Sequence, residues 1–255
     1  MIVDAHAHLG PWPRFGVINK ALEAYLSVMD HLGVRFAVVA HHAALCGLLQ
    51  HGAQLSKTAY EQSGGRILSY LVYDPNRPDD SLRIINANAS RPHAVGIKIH
   101  PTAHGVPADD DSYSPAYEIS LRAGKPILTH SWEASSYNPT QYLSHPDRFC
   151  RHLERHPGVR LVLGHAGGRP GTLDAVADIC SRFPAVRVDL AGDYFDSGTV
   201  DALAARLGPE RIIFASDADW IDPRCNLAAV FGSGLSDGDL LRVLRTNAMA
   251  VYGGG

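Results

Sequence analysis

Cysteine is scarce and scattered in this chain: Cys46, Cys150, Cys180 and Cys225 form no C-x-x-C pair in 255 residues. That excludes a sequence-local zinc knuckle and offers no disulfide framework, so buried thiols in a cytoplasmic protein are the ordinary expectation. No apolar run nears the roughly 20 residues needed to cross a bilayer, and no membrane partner is expected. Neither sign of charge dominates: the formal net charge is -3, and Lys and Arg are scattered rather than striped. Nucleic acid is therefore not an expected partner. No charged leader or cleavage region precedes the first apolar run, so no secretory signal is expected. No Gly-x-Gly-x-x-Gly turn follows that run, which disfavours an open dinucleotide-binding sheet. Low complexity is confined to the tail Gly253–Gly255.

The chain does have a regular alternation of patterns. With 45% hydrophobic residues it can bury a sizeable core. Apolar, β-branched runs stand at Ile2–Ala5, Phe36–Ala40, Ile67–Tyr73, Ala94–Ile99, Pro126–Thr129, Val159–Gly164, Val186–Leu190 and Arg211–Ala215. Helix-like stretches separate them: Ile18–Leu32, Gly47–Gln62, Asp79–Ala89, Ser114–Ala123, Pro146–Arg155, Gly171–Phe183, Thr199–Leu207 and Ser236–Val251. Strand–helix units repeated in this way require a parallel sheet, and eight of them close into a (β/α)8 TIM barrel. With no linker or shift of composition in sight, residues 1–255 are expected to form one domain.

The titratable residues share one phase of this pattern. His6 and His8 lie on one face of the first strand, about 7 Å apart, a spacing at which two imidazoles can close on one divalent metal. With 14 His in the chain, about one His-x-His pair arises by chance, so the motif needs its context. Lys98 and His100 end strand four, His130 strand five and His165 strand six, and Asp217 follows strand eight. All fall at the C-terminal ends of strands, where a barrel builds its active site. Asp4 is in phase with the pair as a supporting residue, and Asp189 on strand seven reads as structural. His41-His42 end strand two and can reach the pocket. His51, His93, His104, His145, His152 and His156 read as surface residues. Gly10–Val17 and Pro101–Tyr113 are the longest rim loops and the candidates for a lid; Asp109-Asp110-Asp111 reads as a solvated turn.

Six segments resemble one known family. They are Val3-Asp-Ala-His-Ala-His8, Gly96-Ile-Lys-Ile-His-Pro101, Pro126-Ile-Leu-Thr-His130, Leu161-Val-Leu-Gly-His-Ala-Gly-Gly168, Arg211-Ile-Ile-Phe-Ala-Ser-Asp217 and Asn247-Ala-Met-Ala-Val-Tyr252. In this order the chain resembles the amidohydrolase superfamily, in the branch that includes aminocarboxymuconate-semialdehyde decarboxylase. The resemblance implies a metal-dependent barrel in which His6, His8, His130 and Asp217 hold one divalent ion, most often zinc. It gives His165 the part of acting on metal-bound water or on substrate. In binuclear members a strand-four lysine is carboxylated and bridges two ions; a carboxylated Lys98 would gather His130 and His165 around a second metal. One ion per chain is the favoured expectation, with Lys98 and His100 otherwise near the substrate. Relatives are often dimers, so a homodimer is a further expectation.

Such an ion would lower the pKa of bound water from 15.7 toward about 7, with Asp217 as general base. The leading expectation is a hydrolase of a small amide, ester or lactone. The alternative is a non-oxidative decarboxylase of the same branch, and a third reading is a metal- or ligand-binding barrel without catalysis. Trp12, Trp132, Trp220 and Arg169 are candidate substrate contacts, as are Arg14, Asp219 and Arg224.

Overall fold

A computed structural model describes residues 1–12, 21–136, 138–168, 170–193, 196–218 and 220–253. Eight strands lie in one sheet in chain order, and every ladder between consecutive strands is parallel. The first half of the chain runs β1 (Ile2–Leu9), α1 (Leu22–Leu32), β2 (Val34–His41), α2 (His42–Leu45), α3 (Leu49–Gln62), β3 (Ile67–Val72), α4 (Pro78–Asn88), β4 (Ala94–Ile99), α5 (Pro101–His104) and α6 (Ser114–Ala123). The second half runs β5 (Ile127–Thr129), α7 (Cys150–Arg155), β6 (Leu161–Leu163), α8 (Leu173–Arg182), β7 (Arg187–Asp189), α9 (Thr199–Leu207), β8 (Ile212–Ile213), α10 (Pro223–Phe231), α11 (Asp237–Leu241) and α12 (Asn247–Tyr252). The ring closes where Ala5 N–H donates to Phe214 O at 3.1 Å and Asp217 N–H donates to His6 O at 2.9 Å. The expected (β/α)8 barrel is the fold observed.

Alternation along the strands sorts their side chains into two apolar clusters. Val38, Tyr70, Val72, Leu128, Val162 and Ile213 pack together in one. Ile97, Ile99, Leu161, Leu163, Val186 and Val188 pack with helix residues such as Met29, Ile85, Tyr117 and Ile179 in the other. Each fully buried Val, Leu or Ile side chain contributes about 1.5–3 kcal/mol, and that layer holds the helices against the strands.

Several expectations need correction. β1 runs on to Leu9 rather than stopping at Ala5, so the two histidines sit inside the strand, His6 within a register shift between Asp4 and Ala7 and His8 just beyond it. The helix α10 was not expected: Asp222 caps it, accepting from Arg224 N–H at 3.0 Å, and Pro223 takes the first turn. The last expected helix breaks into α11 and α12 around a π turn at Arg242–Thr246. His93 and His152 are buried rather than on the surface; His152 stacks on Tyr117 at 4.7 Å and its Nε2–H donates to Asp110 O at 2.9 Å. Of the four free cysteines, Cys180 is buried, while Cys46 and Cys225 are exposed. In the loop after β4, Asp109 and Asp111 are clamped by Arg148, Arg151 and Arg155. Arg14, Arg169, Asp219 and most of the Gly10–Val17 segment lie outside the described residues. Among the described residues, no helix is long and apolar enough to cross a membrane.

Candidate metal centre and active site

β1 and the turn after β8 bring His6, His8 and Asp217 together, one ligand atom from each lying within 4.8 Å of the others. His8 Nε2 is 3.3 Å and His6 Nε2 3.8 Å from the same oxygen, Oδ1 of Asp217. Asp217 has φ 60, a left-handed backbone uncommon for a residue with a side chain. Buried Asp4 holds that turn: its carboxylate accepts from Ser216 N–H at 3.0 Å and from Ser216 Oγ–H at 2.5 Å. Tyr25 O–H adds a third donor to Asp4 at 3.2 Å. Asp4 Oδ1 also accepts from His6 N–H at 3.4 Å, so the supporting part expected of Asp4 reaches both the Asp217 turn and the His6 backbone.

The ring orientations decide what this cluster can hold. His6 Nδ1–H donates to Asp189 Oδ2 at 2.9 Å, and His8 Nδ1–H donates to Ala40 O at 2.9 Å. Each ring therefore turns Nε2 toward Asp217. Burial, together with nearby Lys98, pushes the His6 pKa well down, so its Nε2 carries a lone pair. Two imidazole nitrogens and a carboxylate oxygen facing one point form a donor set that could hold a divalent cation. Burial opposes the charge on Asp217, but the His8 contact and the facing histidines override it and hold its carboxyl below the usual range. A nitrogen–nitrogen–oxygen donor set of this kind fits zinc and also admits manganese.

Lys98, fully buried in β4, is the cation present, its Nζ donating to His6 Nε2 at 3.0 Å. Burial lowers its pKa to about 8, against the opposing pull of Asp189 and Asp217. His165 opens the turn after β6 with φ 61, followed by Ala166 at φ 45. Its Nδ1–H donates to Ala191 O at 3.0 Å, and burial brings its pKa down to about 4. His130 lies outside the clusters found among the described residues. Its Nδ1 lies 3.0 Å from His165 Nε2 and its Nε2 2.9 Å from Gln141 Oε1, and the neutral ring can donate to only one of them. His100 stacks on His130 at 4.2 Å, and its Nδ1 accepts from Ala103 N–H at the start of α5.

These groups open into a cavity of about 400 Å³ lined by Trp12, Trp132 and Trp220, all the tryptophans the chain has. Trp132 lies parallel to His130, at 6.0 Å and 2°. His42 does not line this cavity, against the expectation. It backs His8 at 4.8 Å, and its Nε2 accepts from Trp220 Nε1–H at 2.6 Å. Arg224 is exposed and forked onto Asp222. The sequence reading missed Gln141, and it read Asp189 as structural without placing it beside His6 and His165. The signal for Asp189 was its place at the end of β7, in the same phase as the rim histidines.

The amidohydrolase family model matches residues 3–254. The chain belongs to the amidohydrolase family. A curated relative, the gamma-resorcylate decarboxylase of Rhodococcus jostii (strain RHA1), is 32% identical over 120 residues, covering 39% of this chain and 36% of that protein. The match thus spans little more than a third of that relative's length. The same fold recurs in 2,6-dihydroxybenzoate decarboxylase from Rhizobium, with TM-score 0.77 and 15% identity over 99% of this chain and 98% of that one. It recurs also in 5-carboxyvanillate decarboxylase from Novosphingobium aromaticivorans, complexed with manganese and 4-hydroxy-3-methoxy-5-nitrobenzoic acid. There the TM-score is 0.77 and the identity 14%, over 99% and 96% of the two chains.

Proposed function

We propose that this protein is a metal-dependent, non-oxidative decarboxylase of a small aromatic carboxylic acid. The sequence reading ranked hydrolysis first and decarboxylation second; the decarboxylase relative supports reversing that order. The observation that carries the reading is the enclosure of the His6–His8–Asp217 cluster by the three indoles, whose flat apolar faces suit an aromatic ring.

His6, His8 and Asp217 would hold one divalent ion, with His130 as the fourth ligand once its bond to His165 is released. The ion, when bound, supplies a Lewis-acidic anchor for substrate oxygens. Manganese is named with the 5-carboxyvanillate decarboxylase, and the donor set admits it, with metal availability rather than raw affinity selecting it over zinc. Lys98 stays a cation and offsets the charge of the substrate carboxylate. The tryptophan walls hold the ring and exclude water from the carbon that loses its carboxylate. There the carbon–carboxylate bond breaks, its electron pair remains on the ring carbon, and a proton takes the place of carbon dioxide. Asp217 and His165 are the groups that can carry that proton, since both border the ligand cluster and the cavity.

The test is to incubate the metal-loaded protein with 2,6-dihydroxybenzoate, 5-carboxyvanillate and related hydroxybenzoates, alongside lactones, esters and cyclic amides. Release of one carbon dioxide per ring acid, with a proton at the vacated carbon, is expected. Turnover of the lactone, ester or amide set without any carbon dioxide overturns the proposal.

A further inference from the structure

Asp189 ends β7 with both carboxylate oxygens committed. Oδ2 accepts from His6 Nδ1–H at 2.9 Å, while Oδ1 accepts from His165 N–H at 2.8 Å and Ala191 N–H at 3.0 Å. The side chain is fully buried. On one side it faces His6 Nδ1, while Lys98 Nζ faces the other ring nitrogen, Nε2, at 3.0 Å. On the other it ties down the first of two consecutive residues in left-handed conformation, His165 and Ala166, a strained pair that needs such a hold.

We infer that Asp189 is a positioning residue for metal capture, keeping the hydrogen of His6 on Nδ1 so that the Nε2 lone pair faces the ion. The inference rests on the metal site proposed above. A carboxylate is an acceptor only, so His6 must present a donor to it. The one neutral tautomer that does so leaves Nε2 bare, toward Asp217 and Lys98. An amide in place of the carboxylate would reverse this. The two backbone N–H groups would keep an oxygen at the Oδ1 position and so orient the amide. Its NH2 would then face His6 Nδ1 and move the ring hydrogen to Nε2, against the metal. Carboxylates behind metal-bound histidines typically tighten metal binding by roughly 10- to 100-fold.

The experiment compares the wild type with Asp189→Asn, both stripped of metal by a chelator. Manganese and zinc affinities are measured by competition with a metal indicator, the His6 tautomer by nitrogen-15 NMR of the imidazole, and the fold by thermal melting of the metal-free proteins. The expected result is Nδ1–H on His6 in the wild type and Nε2–H in the variant. The variant's dissociation constant rises roughly 10- to 100-fold while its metal-free melting temperature stays near that of the wild type. Unchanged affinity in a folded variant overturns the inference and leaves the metal site standing. Should Asp189→Asn not fold, Lys98→Met decides, because it removes the donor at Nε2: Nδ1–H retained on metal-free His6 supports the inference, and Nε2–H overturns it. A wild type that takes up no divalent ion removes the metal site instead, and the spectrum then reports separately whether Asp189 sets the tautomer.

Discussion

Gly164→Ala is the substitution for which the structure gives the sharpest consequence. Gly164 follows β6, and a Cβ built there would stand 2.5 Å from Thr129 O and 3.2 Å from His6 Cε1. Carbon contacts are comfortable at about 3.5–4.0 Å, so something must move by most of an ångström. The nearer obstacle is a backbone carbonyl at the end of β5, which cannot swing aside as a side chain would. The strands must part at the rim, or the His6 ring must tip away from Asp217. Overpacking of this kind costs about 1–3 kcal/mol, and the backbone obstacle places it at the upper end. For a chain of this size that is a fall in melting temperature of about 6–12 °C. A reacting group misplaced by 1 Å costs about 100-fold in rate, so kcat/KM should fall by one to two orders of magnitude and metal affinity with it. Gly158→Ala, before the same strand, is the comparison. There φ is 92 and the nearest atom to a Cβ is Leu121 Cδ2 at 4.0 Å, so the penalty is conformational, about 1 kcal/mol, and kcat/KM is unchanged. If Gly164→Ala melts within about 2 °C of the wild type and keeps its metal affinity and activity, the His6 ring is not seated by this contact.

Chelation should abolish activity and a divalent ion should restore it; activity that survives thorough chelation removes the metal from the reaction. Asp217→Asn keeps an oxygen toward the ion, so metal affinity should weaken roughly tenfold while kcat drops about 100- to 10,000-fold; equal losses, read by indicator competition and steady-state kinetics, contradict the proton-carrying part given to Asp217. Lys98 is buried with its pKa lowered from 10.5 to about 8, so the folded protein carries a penalty that is full below pH 8 and gone by pH 10.5. Between those values the unfolded chain holds the extra proton, and the Lys98 contribution to stability rises with pH by about 3 kcal/mol. Denaturant melts of metal-free protein should show that rise in the wild type and not in Lys98→Met; parallel curves refute it. Trp132→Ala should raise KM for an aromatic acid by up to about tenfold, the worth of one ring–ring contact, with kcat changed less; an unchanged KM takes the ring away from that wall.

The fold was legible because its signals are local and repeated. Each strand is an apolar, β-branched run and each helix a three- and four-residue stripe, and a parallel sheet of eight such units has few ways to close. What escaped was decided by particular contacts. Pro223–Phe231 carries Asp222 as cap and Pro223 in its first turn, a start signal the reading passed over because its apolar residues do not form one stripe; Phe231 stays exposed. His152 reads as a surface histidine because its helix is short, yet it packs beneath the loop after β4, with its ring on Tyr117 and its Nε2 on Asp110 O. The phase of the rim histidines located the site, but ring orientation depends on partners tens to hundreds of residues away, such as Asp189 for His6 and Ala40 for His8.

Three residues other than glycine have a left-handed backbone among the described residues, His165, Ala166 and Asp217, and two of them are the groups proposed to carry the proton. Such conformations survive only where the surroundings hold them. Here the holders are carboxylates: Asp189 accepts from His165 N–H, and Asp4 accepts from Ser216 next to Asp217. The two buried acids at the barrel mouth therefore do related work on opposite sides of His6, each setting a turn that aims a titratable side chain into the cavity. It follows that removing the Asp4 carboxylate should loosen Asp217 and leave the His6 tautomer alone, whereas Asp189→Asn, which keeps an oxygen for His165 N–H, should move the His6 hydrogen and leave the His165 turn in place. Asp4→Asn and Asp189→Asn, followed by imidazole NMR on the metal-free protein, separate the two effects. Matching disturbance of His6 in both variants would mean that the rim yields as one body and that these carboxylates have no distinct parts.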